Sequence, residues 1–438
     1  MQRRSCRCPR AGRPAAPSRS RPRPAARPTV ARLADAEKLH RDGTHRTVEP
    51  ERTLERLQPT LPRIGVTRVA VVTGLDVVGI PVVMVCRPNG RSLSVSQGKG
   101  VDLVSAKVSG IMEALEAWHA EHVLLPLRLA TYRELREVAR VVDVELLPRP
   151  SWSRFHPDLS ILWIEGTDVI GGGERLWVPY ECVHLDFRSP GPQGSGCFLA
   201  NGTGLAAGNH LLEAVSHALC EAVERDAFAL WDERPASQRA TRRVDLDSVT
   251  HAGCRRLLET YARAGVGVVA WDLTTDIALP VFSATIVDRR SDVVRRLPAA
   301  TGGGCHPDRG VALSRALTEA AQSRLTLIAG SRDDCPPSLY RRVKDAGAIG
   351  SHTRALAARP QRAFEDVAHV PGETIDDDVA HELDRLRGAG IAQAILVDLT
   401  WPDVGVPVVR MVVPGLEGWT DKVAPAVPGP RRRALRET

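Results

Sequence analysis

The chain has 438 residues, 43% of them hydrophobic and 4% aromatic, with a net charge of +7. This reads as a soluble globular protein with a sizeable buried core, built as one large domain or two to three smaller ones. The charge is concentrated at the ends: residues 1–32 hold ten arginines and no acid, residues 431–438 four arginines and one glutamate, and the remainder carries −6. An acidic body argues against a nucleic-acid-binding fold, and a basic tail without a single aromatic in 1–32 lacks the stacking groups of an RNA binder.

Residues 1–32, rich in arginine and proline, read as a disordered basic tail outside the fold, 33–430 as the folded catalytic domain, and 431–438 as a basic C-terminal tail. No apolar signal segment precedes the domain. Nine cysteines, an odd number without framework spacing, suit reduced thiols in a cytoplasm. Cys305 with His306, and Cys182 with His184, lack the second ligand pair of a zinc site.

In chain order, "VAVVTGLDVVGIPVVMVC" (69–86) contains Asp76 and Pro81 and reads as a β-hairpin, not a membrane span. "SVSQGKG" (94–100) follows; Gly98 and Gly100 permit close backbone approach, Lys99 offers a charge, and the next helix brings its N-terminus. It is not a Walker A motif, since no Ser or Thr follows the lysine. A helix is expected over 102–122, with Ser109, Glu113 and Glu116 on one narrow stripe among apolar residues. Burying unpaired carboxylates is costly, so such a stripe calls for a cation or a solvent edge.

A looser hairpin, 162–179, holds Asp168 and a glycine-rich turn. "NGTGLAAGN" (201–209) then leads into a helix over 209–231, with Asn209 available as its cap and Glu213, Glu221 and Glu224 within roughly 80° of arc. A hairpin with Asp276 and Pro280 precedes a helix over 307–330, whose Arg315, Glu319 and Gln322 repeat the spacing of Ser109, Glu113 and Glu116. The last hairpin carries Asp403 and Pro407. Three acidic-turn, Pro-Val hairpins suggest related units. If they form a common sheet under the helices, the stripes converge on one cavity suited to Mg²⁺ and phosphates.

"QGKGVDLVSAKVSGIMEALEAWHAEH", "ANGTGLAAGNHLLEAVSHALCEAVERDAF" and "ALSRALTEAAQSR" resemble, in order, the three signature motifs of the YcaO family of ATP-dependent peptide-backbone modifying enzymes, and "VVPGLEG" near the end also fits. The resemblance spans most of 40–430 and implies an α+β fold, repeated β-hairpin/helix units with helices packed on mixed or antiparallel sheet. It implies ATP and Mg²⁺ as cofactors, with Glu113, Glu116, Glu213, Glu221, Glu224 and Glu319 at the metal. Arg46, Thr53, Lys99, Ser109, Asn209, Arg225, Arg315, Gln322 and Arg324 would bind the nucleotide, Arg324 on the resemblance alone. Where the first motif often ends Glu-Arg, Ala117 follows Glu116 here, so an arginine contact is lost or replaced.

The implied reaction is O-phosphorylation of a peptide amide, which turns a very poor leaving group into a phosphate ester. Attack by a substrate Cys, Ser or Thr gives an azoline, and attack by sulfide gives a thioamide. Azoline-forming members often end in a Pro-x-Pro-x-Pro tail at the catalytic site, whereas this chain ends "PAVPGPRRRALRET". "SLSVSQGKG", "EALEAWHAEH" and "PGPR" look more like the members that act with a TfuA partner in thioamidation. The expected partners are thus a peptide or protein substrate and a TfuA-like sulfur-delivery protein, with no membrane, and a homodimer is compatible with the sequence. Two alternatives remain at this stage: an azoline-forming cyclodehydratase, and a non-catalytic scaffold, which would be expected to have lost carboxylates from the stripes.

Overall fold

The computed structural model describes residues 36–289, 299–335, 337–343, 354–418 and 425–437, and the basic segment 1–32 lies outside them. All four expected hairpins form. The strands are β1 (Arg68–Val71), β2 (Val82–Cys86), β3 (Val95–Lys99), β4 (Leu127–Ala130), β5 (Ile161–Asp168), β6 (Arg175–Pro179), β7 (Leu205–Ala207), β8 (Val266–Asp272), β9 (Val281–Asp288), β10 (Ala300–Cys305), β11 (Ile395–Asp398) and β12 (Val408–Val412). The helices are α1 (Pro50–Leu57), α2 (Leu103–Glu121), α3 (Tyr132–Val138), α4 (Leu211–Glu233), α5 (Ala236–Ala240), α6 (Ala252–Arg263), α7 (Arg309–Ala329), α8 (Pro337–Val343), α9 (Ile375–Gly388) and α10 (Pro430–Arg436).

The hairpins do not share the single common sheet in which the sequence pattern would unite them. They belong to three: β1-β2-β3, β10-β9-β8, and a six-stranded sheet in the order β4-β5-β11-β12-β7 with β6 beside β5. Within each sheet the strand pairs are antiparallel. Three triplets nevertheless repeat one plan, in which a hairpin is completed by a strand that runs straight into a long helix. β1-β2-β3 leads into α2 and β8-β9-β10 into α7, while β7, bordered by the late hairpin β11–β12, leads into α4.

The turn acids explain themselves by what they fasten. Asp76 is ion-paired to Arg324 of α7 at 2.8 Å, Asp403 to Arg63 at 3.0 Å, and Asp276 to Arg431 of α10. Asp168 accepts from the backbone of Ile170 and Ala394, both at 3.1 Å. Each therefore ties its turn to a different part of the chain.

Helix starts follow capping chemistry. Asp102 caps α2 through Ser105 N and Asp308 caps α7 through Gly310 N. For α4 the cap is His210, which accepts from Leu212 N, and not Asn209 as expected; Asn209 instead accepts from Thr53 and Arg56. The apolar faces of the helices press on their sheets. Leu115, Leu219 and Leu317 are fully buried, each worth roughly 1.5–3 kcal/mol in apolar transfer. Strand and helix approach closely where side chains vanish: a Cβ at Gly98 would stand 2.0 Å from Ala106 O, and one at Gly304 2.0 Å from Ala312 O. Most of the basic segment 431–438, set apart above as a tail, belongs to the helix Pro430–Arg436, docked on α4 by Arg431–Asp226 at 3.1 Å and by Arg432 and Arg436 on Glu233. Among the described residues, no helix is long and apolar enough to cross a membrane.

Candidate active site

The outward stripes of α2, α4 and α7 meet on one cavity of about 970 Å³, at the upper end of the about 300–1,000 Å³ usual for ligand pockets. The six glutamates named above line it, as do Arg46, Thr53, Lys99, Ser109, Asn209, Arg225, Arg315 and Gln322.

Arg324 does not. Nine residues past Arg315, it projects from the opposite face of α7, where it is fully buried, paired with Asp76 at 2.8 and 3.1 Å and 3.7 Å from Asp288. It is a structural cation that fastens α7 to the first hairpin.

Backbone N–H groups hold four of the carboxylates: Glu113 and Glu319 by the strands that lead into their own helices, Glu221 by the residue before β7, and Glu116 of α2 by β7, the strand that leads into α4. Gln97 N donates to Glu113 at 3.3 Å, Gly303 N to Glu319 at 3.2 Å, Gly204 N to Glu221 at 3.1 Å, and Ala207 N to Glu116 at 2.8 Å. Burial pushes Glu113 up against the opposing charge of Arg332. Burial, reinforced by Glu113 and Glu221, pushes Glu116 well up. Glu224 is pushed up to about 7 by burial and by Glu319. Glu319 remains below the ordinary range despite burial because Lys99, at 2.6 Å, and Arg225 face it. Several hard oxygen donors buried together, Glu113, Glu116 and Glu224 among them holding protons more tightly than usual, form a donor set that fits Mg²⁺.

Glu213 is differently engaged. Its Oε1 accepts from Thr47 N and Thr47 Oγ1, and its Oε2 from Asn209 N at 2.8 Å. Both oxygens are thus used to hold the 45–47 loop and the start of α4. Thr53 Oγ1 donates to Asn209 Oδ1 at 3.1 Å, Lys99 N donates to Ser109 Oγ at 3.4 Å, and Gln322 Nε2 donates to Gln97 O at 3.0 Å. Arg46 is half-buried, and the burial of its guanidinium lowers its pKa.

The cavity lining also includes Arg332 and His217, which are not among the residues expected from the sequence. Arg332, ion-paired to Asp334, places its charge toward Glu113 and brings a further cation to the cavity; it lies past the end of α7, outside any periodic pattern. His217 was legible: His217, Glu221 and Glu224 have the same spacing as Ser109, Glu113 and Glu116 and as Arg315, Glu319 and Gln322. Glu213, one turn before His217, opens an overlapping stripe with Glu221 and Glu224.

One other cluster has ligand character among the described residues: donor atoms of His45, His306 and Asp378 lie within 4.8 Å of one another. Lys38 Nζ stands 2.6 Å from Asp378 and donates to Gly372 O at 2.7 Å, so an ammonium already neutralises that carboxylate.

A deep cavity in which carboxylates face lysine and arginine side chains defines a protein that handles a metal–polyphosphate. The chain belongs to the YcaO family: the family model described as YcaO cyclodehydratase, ATP- and Mg²⁺-binding, matches residues 97–417, and ATP and Mg²⁺ are its cofactors. Its relatives include an uncharacterised protein in the tfuA 3′ region of Rhizobium leguminosarum bv. trifolii, 40% identical over 378 residues (85% of this chain, 88% of the relative). Another is an uncharacterised protein of Methanothermobacter thermautotrophicus, 34% identical over 379 residues (84% and 94%). The fold is shared with YcaO from Methanopyrus kandleri bound with AMPPCP and Mg²⁺ (TM-score 0.70, 22% identity, 90% of this chain and 99% of that one). It is also shared with a heterocyclase in complex with substrate and cofactor (TM-score 0.71, 22% identity, 88% and 54%).

Proposed function

We propose that the chain uses ATP to phosphorylate the oxygen of a peptide-backbone amide and, with a sulfur donor and a TfuA-like partner, converts that amide to a thioamide. The observation that carries the ATP step is the facing of Glu113, Glu116, Glu221, Glu224 and Glu319 by Lys99, Arg46, Arg225 and Arg315 across one cavity. Bound Mg²⁺ would neutralise phosphate charge as the γ-phosphoryl group leaves ADP. The chain's own work is positioning: the glutamates hold metal, while the arginines and Lys99 take phosphate oxygens. The amide oxygen attacks the γ-phosphorus and ADP departs. Sulfide then adds to the activated carbon and phosphate leaves with the original oxygen.

Two observations favour sulfur over ring closure. The R. leguminosarum relative is named for its place beside tfuA. Among the described residues, none of 425–437 lines the cavity; that segment is engaged by α4 instead, so it does not occupy the place of an azoline-former's tail. The sulfur is expected from outside, because the thiol of Cys335, which lines the cavity, is pushed up by burial and by Asp334 and offers no ready thiolate. Azoline formation is the second reading, supported by the cyclodehydratase description of the family.

Mass spectrometry of a candidate peptide separates the two. With ATP, Mg²⁺, sulfide and the partner, the product should gain the mass difference between sulfur and oxygen, and the protein alone should make none. Loss of one water without sulfide would replace thioamidation by cyclodehydration.

A further inference from the structure

His217 sits on α4 between Glu213 and Glu221, one turn from each, and reaches across the cavity wall to α7, where Arg315 Nη2 lies 2.8 Å from its Nε2. A guanidinium has no lone pair and does not deprotonate, so the arginine must donate and the imidazole must accept. That fixes His217 as the neutral ring with its proton on Nδ1. Its surroundings agree: burial, followed by the charges of Arg315, Arg46 and Lys99, holds its pKa well below the ordinary value. Arg315 Nε is buried without a hydrogen-bond partner. The His217 contact is therefore what orients the guanidinium plane. The two residues also hold matching places, each opening the stripe of its own helix.

We propose that His217 is a positioning residue: as a neutral acceptor it aims the Arg315 guanidinium at the nucleotide's phosphates and couples α4 to α7 across the cavity. A glutamate in its place would neutralise the cation the phosphates need, and a protonated side chain would repel it. An acceptor without charge orients Arg315 while leaving its charge for the ligand. The proposal rests on the assignment of Arg315 to the nucleotide made above.

The test compares AMPPCP affinity, by calorimetry with Mg²⁺, in the unmodified protein and four variants. His217→Leu, similar in volume but without an acceptor, should bind roughly tenfold or more weakly, the scale of losing a hydrogen bond to a charged group. His217→Gln, whose amide oxygen can stand where Nε2 stood, should recover most of the loss. In an Arg315→Ala background, His217→Leu should cost little further, since the cycle isolates the pair. If the leucine variant does not fold, His217→Asn, whose amide stops short of Arg315, makes the same comparison with the glutamine variant. Equal affinity in the leucine, or asparagine, and glutamine variants, or full additivity with Arg315→Ala, would overturn the proposal. Failure of the underlying assignment looks different: Arg315→Ala would itself bind as the unmodified protein does, and the proposal would fall with it.

Discussion

Glu213 and Glu224 are the same residue on the same helix, yet their surroundings give them different tasks. Glu213 spends both oxygens on Thr47 and Asn209, whereas Glu224 faces Glu319 with its proton affinity raised to about 7. Replacing Glu113, Glu116 or Glu224 by Gln keeps the shape and removes the charge a metal needs. Mg²⁺-dependent ATP turnover should fall at least about 100-fold with the thermal transition retained; undiminished turnover in all three folded variants would refute the site. Glu213→Gln should instead lower thermal stability. The raised pKa of Glu224 also fixes a sign. Below about 7 its carboxyl holds a proton that metal must displace, so Mg²⁺ affinity should rise as pH increases through 7, with proton release. Calorimetry in buffers of different ionisation enthalpy measures that release, and it should shrink in Glu224→Gln.

At the scale of elements, hairpins and long helices were legible because their signals are local: alternation around a Pro-Val strand, and a polar stripe every third or fourth residue. The strand order was not. β7 is bordered by β12, about two hundred residues later, through the register Val408↔Ala207, and no local pattern encodes that pairing. The cap of α4 was misread for a related reason: Asn209 looked like a cap by composition, but Thr53 and Arg56 from distant α1 claim its carbonyl. Arg324 was misplaced because resemblance overruled geometry that already set it off the stripe. Its expected phenotype follows. Arg324→Leu strands the carboxylate of Asp76, 1% exposed, in the interior, and should destabilise by about 3–5 kcal/mol. Adding Asp76→Asn should recover part of that. A loss of ATP affinity without loss of stability would return Arg324 to the nucleotide site.

At the scale of the molecule, three hairpin-strand-helix triplets enclose one cavity, and no triplet holds a complete site: α2 and α7 bring Glu113 and Glu319, while α4 brings Glu221, Glu224 and Arg225. Motif residues could be listed from sequence because each stripe is local, but their convergence depends on how the triplets dock. The C-terminal helix supplies one of the contacts that dock them. Asp226, on α4 two residues from Glu224, is fully buried; burial pushes its pKa up to about 7 against the opposing Arg431. Arg431 also holds Asp276 of the β8–β9 turn, while Glu417 caps α10 at Gly429 N and Arg432 N, both at 2.9 Å. Arg431→Ala leaves Asp226 buried without its cation, at a cost of about 3–5 kcal/mol, and loosens α4 from the β8–β9 turn. The variant should melt several degrees lower and turn ATP over more slowly, since Glu221 and Glu224 ride on the same helix. Asp226→Asn in that background should restore melting temperature, because the unpaired charge is gone. Thermal melts and phosphate-release assays on the single and double variants check this, and an unchanged melting temperature in Arg431→Ala would show that the C-terminal helix merely rests on α4.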